Sequence, residues 1–165
     1  MKRFGTWGAF VAGLYVLQSS ILPLLAYHGI SPNLLLLMTV SFAFLHGPRY
    51  GVLMGFIAGL LQDLATGTFF GVDVFSYMSA GFICGKFSDQ VFKEQLFLPL
   101  LASMVATVAH YFLLVAFLLL LGYRFNIVGH MYETLLPMVC YQFLLAYPVH
   151  KVTCWADKQI RKRYG

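Results

Sequence analysis

Long apolar runs separated by turn residues constrain this chain more than any other feature, because about 20 apolar residues in a helix cross the hydrocarbon core of a bilayer. Six such runs are predicted, at 5–27, 32–45, 48–64, 69–87, 96–122 and 129–150. The breaks between them carry turn chemistry: His28-Gly29-Ile30-Ser31-Pro32, Gly47-Pro48, Thr66-Gly67-Thr68, and Tyr123 to Asn126. Pro32 and Pro48 stand where helices begin, since a first helical turn leaves that N–H unpaired in any case. Only 10% of the residues are charged and 60% are hydrophobic, whereas a soluble domain carries about 25% charged residues. A soluble core of 165 residues cannot hide so much Leu, Phe, Val and Ile, so the surplus must face lipid. The expected fold is an all-α integral membrane protein: a single domain forming a six-helix transmembrane bundle, ending in a basic cytoplasmic tail at 151–165.

Orientation follows from the 11 Lys and Arg residues. With six crossings, Lys2, Arg3, Arg49, Lys86, Lys93, Lys151, Lys158, Arg161, Lys162 and Arg163 share one side, and Arg124 alone takes the other. The positive-inside rule then puts both termini in the cytoplasm. Lys2 and Arg3 precede an apolar run as in a signal peptide. That run is too long for an h-region and lacks an A-x-A-like site, so it is expected to stay on the chain. A re-entrant hairpin is the alternative to two short spans for the second and third runs. It would strand Arg49 near mid-bilayer at a cost of about 2.5–3.5 kcal/mol.

The third run carries Gly51, Gly55, Gly59 and Asp63 at four-residue spacing, which lines one helical stripe. Small residues in this pattern let another helix approach closely when lipid removes the hydrophobic drive. That helix is either a neighbour in the same bundle or one from another protein. Asp63 ends its helix and so needs a specific partner, either Arg124 or an amide of the following loop. Asp73 opens the next helix, where cap and dipole roles suffice. Asp73, Arg124, His130 and Glu133, with Asp63, either ring an outward polar cavity or sit separately at the water boundary. His110 and Gln142 reach about the same depth in adjacent helices and are expected to pair.

In the tail, Val152, Ala156 and Ile160 share a helical face with Trp155 beside them. Lys151, Trp155, Lys158, Arg161, Lys162 and Arg163 suit an inner-leaflet anchor to anionic lipid headgroups, or a docking surface for a cytoplasmic protein. Cys84, Cys140 and Cys154 lack metal or disulfide spacing and are expected to be packing residues. No cofactor, metal or nucleic acid is implied. No Walker sequence, nucleophile elbow or HExxH motif appears, and no carboxylate pair sits on a water-accessible loop, so an enzyme is not expected.

The run Pro32-Asn33-Leu34-Leu35-Leu36-Leu37, then Gly47-Pro48, then Gly51, Gly55, Gly59, Leu60 and Asp63, then Gly67, Gly71, Gly81 and Gly85 resembles the rod shape-determining protein MreD family. Asn33, where Asp is common, and Asp73, where an uncharged polar residue is more usual, depart from the pattern. The resemblance implies a bacterial inner-membrane protein of the elongation machinery, which supports lateral peptidoglycan synthesis and rod cell shape. It implies MreC as partner, in the neighbourhood of MreB, RodA and a class B penicillin-binding protein, and leaves a homo-oligomer open. It also implies a fold like the substrate-binding components of energy-coupling-factor transporters, and no enzymatic activity. On this basis the chain is expected to be a scaffold offering the Gly51, Gly55, Gly59 groove to the MreC helix. The alternative is a small-molecule-binding component of a transporter with a cavity near Asp63, Asp73, Arg124 and Glu133. An intramembrane enzyme would rest on His110 and Glu133, whose depths differ by about two helical turns.

Overall fold

A computed structural model describes residues 2–20, 32–67, 71–88, 97–122, 129 and 131–164, without the side chains of 2–4, 131, 161, 163 and 164. The end of the first predicted run, the turn at His28, and Lys93, Arg124 and His130 lie outside the described residues. Six α-helices account for nearly all of the described chain, and no strand occurs among those residues. They are α1 Lys2–Ser20, α2 Leu34–His46, α3 Pro48–Thr66, α4 Val72–Lys86, α5 Phe97–Leu120 and α6 Leu136–Tyr164. A π-helical turn, Met131–Leu135, leads into α6.

The helix α2 sits at the centre and touches all five others. Its residues from Leu34 to Phe44 are all buried, as expected of a helix that is apolar all round. One glycine then turns the chain back. Gly47 closes α2 at φ +86°, donates its N–H to Ala43 at 2.8 Å, and hands over to Pro48 at the first position of α3. Gly67 closes α3 in the left-handed conformation, at φ +61°, which glycine adopts without steric cost.

Large apolar side chains cover the outside of the bundle, and several polar ones are buried beside its apolar core. Leu120 is 84% exposed, Leu144 73%, Val105 68% and Phe75 64%, while Asp63, Gln142 and Thr107 are at most 1% exposed. Among the described residues, α5 is long and apolar enough to cross a membrane by itself, with 24 residues at a mean hydropathy of 2.1.

The tail is not a separate element. The helix expected to end at 150 continues through Pro148 to Tyr164 as part of α6, and Thr153, Ala156, Asp157 and Ile160 are buried within it. Asp157 faces His46 at the end of α2, with Oδ1 and Nε2 3.0 Å apart. That contact and the Ala156 and Ile160 packing hold the last four turns against the bundle. Val152, grouped with those two by spacing, is instead exposed.

Candidate functional site

The glycine stripe is filled from within the chain. A Cβ placed on Gly55 would lie 2.5 Å from the Tyr77 carbonyl oxygen, and one on Gly59 would lie 2.5 Å from the Val74 Cα. At Gly51 it would meet the Gly81 carbonyl at 2.5 Å and the Ala43 Cβ at 2.7 Å. Gly81 and Gly85 reciprocate from α4, meeting the backbones of Gly51 and Pro48. This corrects the expectation of a partner-helix groove at Gly51, Gly55, Gly59 and Asp63, because α4 already occupies that face. The pattern signals a close helix neighbour, and spacing alone does not say which chain supplies it.

Asp63 is 1% exposed at the end of this seam. Its carboxylate accepts from the backbone N–H groups of Gly71 at 2.8 Å, Asp73 at 3.1 Å and Val74 at 3.2 Å. Of the two partners expected for Asp63, the loop amide is the one seen. A negative group that satisfies the orphan amides and faces the positive end of the helix dipole caps α4. Asp63 therefore performs the capping role that the sequence assigns to Asp73.

Asp73 is turned inward, with Oδ1 3.6 Å from His110 Nε2 on α5. That distance makes an electrostatic contact rather than a hydrogen bond. His110 Nδ1 lies 3.0 Å from Ser76 Oγ, and its ring packs edge-on against Tyr77. Glu133, grouped with Asp73 by sequence, is exposed on the π-helical turn while Asp73 is 7% exposed.

His110 and Gln142 do not pair, which corrects a second expectation. Equal depth along two helices leaves their rotations free, and here the rotations turn the two residues to different partners. Gln142, fully buried, accepts from the Asn33 backbone N–H and donates to the Asn33 backbone carbonyl, both at 3.1 Å. Gln18 of α1 accepts from the amides of Leu34 at 2.9 Å and Leu35 at 3.3 Å and donates to Gln62 of α3 at 3.1 Å. Asn33 caps its own helix by accepting from Leu36 N–H at 3.1 Å, while its side-chain amide donates to the Tyr77 hydroxyl. The start of α2 thus lies inside the protein, and amide side chains from α1 and α6 satisfy its backbone. Non-helical backbone is tolerated at membrane depth only when protein supplies such partners. Sequence reasoning assigned no role to Gln18 or Asn33. The available signal was the presence of amide side chains in apolar runs beside a proline-led helix start.

An open cleft separates α1 from α6. One part, about 600 Å³, is lined by Gly13, Leu14, Leu17, Leu34, Leu145 and Val152, among others. A second part, about 670 Å³, is lined by Thr6, Trp155, Gln159 and Lys162. Ala9 and Phe10 border both. Lys151, Trp155, Lys158 and Lys162 are all exposed on α6; the side chains of Arg161 and Arg163 lie outside the described residues. Of the cysteines, Cys84 is buried, Cys154 half-buried and Cys140 exposed, and all three are free thiols. Cys140 therefore does not pack internally as expected. Burial pushes the Cys154 thiol up, with the Lys158 ammonium pulling the other way.

The family model for the rod shape-determining protein MreD matches residues 1–152. The chain belongs to the MreD family. MreD is a family of membrane proteins that determine rod shape, and it is not known as an enzyme family. The match ends within α6, so the last three turns of that helix lie beyond it. No curated protein and no solved structure matches the chain.

Proposed function

We propose that this MreD protein is a non-catalytic membrane scaffold of the bacterial elongation machinery, which binds the transmembrane helix of MreC and supports lateral peptidoglycan synthesis. The observation that carries this reading is the family match over residues 1–152. In the proposal the chain crosses the inner membrane six times and keeps both termini in the cytoplasm. The exposed large apolar side chains of the bundle support a lipid environment, and the short α2 gains its membrane context from the helices enclosing it. MreB, RodA and a class B penicillin-binding protein are the further members of the assembly. The likeness to substrate-binding components of energy-coupling-factor transporters belongs to the same reading.

With the α3 glycine face filled by α4, the surface best suited to a partner helix is the outer side of α1. Gly5, Ala9, Ala12 and Val16 recur there at i, i+4, i+7 and i+11, all exposed. A Cβ on Gly5, Gly8 or Gly13 meets nothing within 4 Å. Small, unoccupied positions at this spacing permit the close backbone approach by which helices associate in lipid. The α1/α6 cleft, by contrast, has a predominantly apolar lining, which does not favour a transporter component for a polar solute.

The test is copurification of MreC with a Gly5→Leu, Ala12→Leu variant from detergent-solubilised membranes. Loss of MreC with an unchanged amount of folded protein is expected. Undiminished MreC would remove α1 as the contact, and absence of MreC from the wild-type preparation would remove the scaffold reading itself.

A further inference from the structure

We infer that the cleft between α1 and α6 is a binding site for one anionic phospholipid of the cytoplasmic leaflet. The inference uses the proposed orientation but not the partner: Gly5, Ala12 and Val16 lie on a different face of α1 from Phe10, Leu14 and Leu17, and the two faces meet only at Ala9, which borders the cleft.

The cleft has the polarity of a lipid along its length. Its inner part is bounded by Leu14, Leu17, Leu145 and Val149, and its other end by Thr6, Trp155, Gln159 and Lys162. Trp155 marks the membrane interface, and Lys162 lies about 10 Å beyond it along α6, on the headgroup side. From Trp155 to Leu145 along α6 is about 15 Å, and from Thr6 to Leu17 along α1 about 16 Å. Both helices thus give the apolar part a depth of about half the 30 Å hydrocarbon core. The cleft runs from the interface to the mid-plane. An acyl chain of one leaflet fits that depth.

Charge selects the headgroup. Lys162 lines the mouth, and Lys151 and Lys158 recur with it on one helical face at i, i+7 and i+11. Lys151 is also held near the Tyr147 ring, with Nζ 5.9 Å from its centroid. Among the described residues, no acidic one lines either part of the cleft. A phosphatidylglycerol-type headgroup, with a net negative charge, complements this mouth better than a zwitterionic one.

The protein should be reconstituted in nanodiscs with equal palmitoyl-oleoyl phosphatidylglycerol and phosphatidylcholine, released into mild detergent, and examined by native mass spectrometry. Wild type is expected to retain one phosphatidylglycerol. Lys162→Gln should retain it about five-fold less well, the effect of one surface cation near a membrane, and Val152→Trp should fill the cleft and exclude it. Lys162 and Val152 are exposed, and Lys162→Gln decides the matter even if Val152→Trp does not fold. Equal retention of both lipids, or unchanged phosphatidylglycerol in Lys162→Gln, would overturn the inference. So would loss of MreC instead of lipid from Val152→Trp, which would mean that protein fills the cleft. Lipid lost with MreC retained supports the site and leaves the scaffold reading standing.

Discussion

Adding one methyl group to either of two glycines should change stability in opposite directions. At Gly55 the new Cβ would stand 2.5 Å from the Tyr77 carbonyl oxygen, 2.7 Å from its carbon and 2.8 Å from the Met78 nitrogen. Unstrained contacts begin near 3.5 Å, so α3 and α4 must separate locally by about 1 Å. All three obstacles are backbone, and no side chain can swing aside. Gly51 and Gly59 make equally close approaches one turn away on either side, so separation at the middle loosens the whole seam. Overpacking of this kind costs about 1–3 kcal/mol, and the gain in helix propensity from Gly to Ala returns about 1 kcal/mol. Gly55→Ala should therefore destabilise by up to about 2 kcal/mol. At Gly13 nothing lies within 4 Å, the propensity term acts alone, and Gly13→Ala should stabilise by up to about 1 kcal/mol. Reversible unfolding in mixed detergent and dodecyl sulfate micelles, followed by far-ultraviolet circular dichroism, measures both. If Gly55→Ala matched Gly13→Ala in sign, the α3/α4 seam would not be packed as described.

Three further outcomes follow from the buried polar groups. Gln142→Leu leaves the Asn33 N–H without its acceptor, while the Asn33 carbonyl keeps the Leu37 N–H at 3.3 Å; the expected loss is about 1–3 kcal/mol in the same unfolding assay, and a neutral result would deny the buried start of α2. Asp63→Ala frees three amides at once and should cost about 2–4 kcal/mol, with faster hydrogen exchange at Gly71, Asp73 and Val74; unchanged exchange there would refute the cap. His110→Gln keeps a hydrogen-bonding group facing Ser76 and should preserve both the folded amount and rod shape in a complementation assay. A folded variant that fails to restore rods would assign His110 a proton-carrying role.

Much of the helix pattern was legible in the chain because lipid and turn chemistry act locally. Gly47-Pro48 and Gly67 announce their helix ends through backbone geometry that needs no tertiary partner. Asp63 was legible as an acid needing a partner, since a carboxylate at a helix C-terminus has no local one. The end of the tail was not legible, because Ala156, Asp157 and Ile160 become helical core only through contact with the rest of the bundle. The His110–Gln142 pairing failed for a related reason: depth is fixed by residue count, whereas rotation is fixed by all the neighbours of a helix together.

The sequence by itself carried the family match over residues 1–152, and its composition, periodicity and glycine spacing determined the helical character and the requirement for a close helix neighbour at Gly51, Gly55 and Gly59. Only the tertiary structure decided that α4 is that neighbour, that α1 keeps its small residues free, and that Gln18 and Gln142 satisfy a helix start inside the bundle. A missing side chain permits close approach without naming the approaching helix, and a buried amide must hydrogen-bond without its position in the sequence specifying the partner.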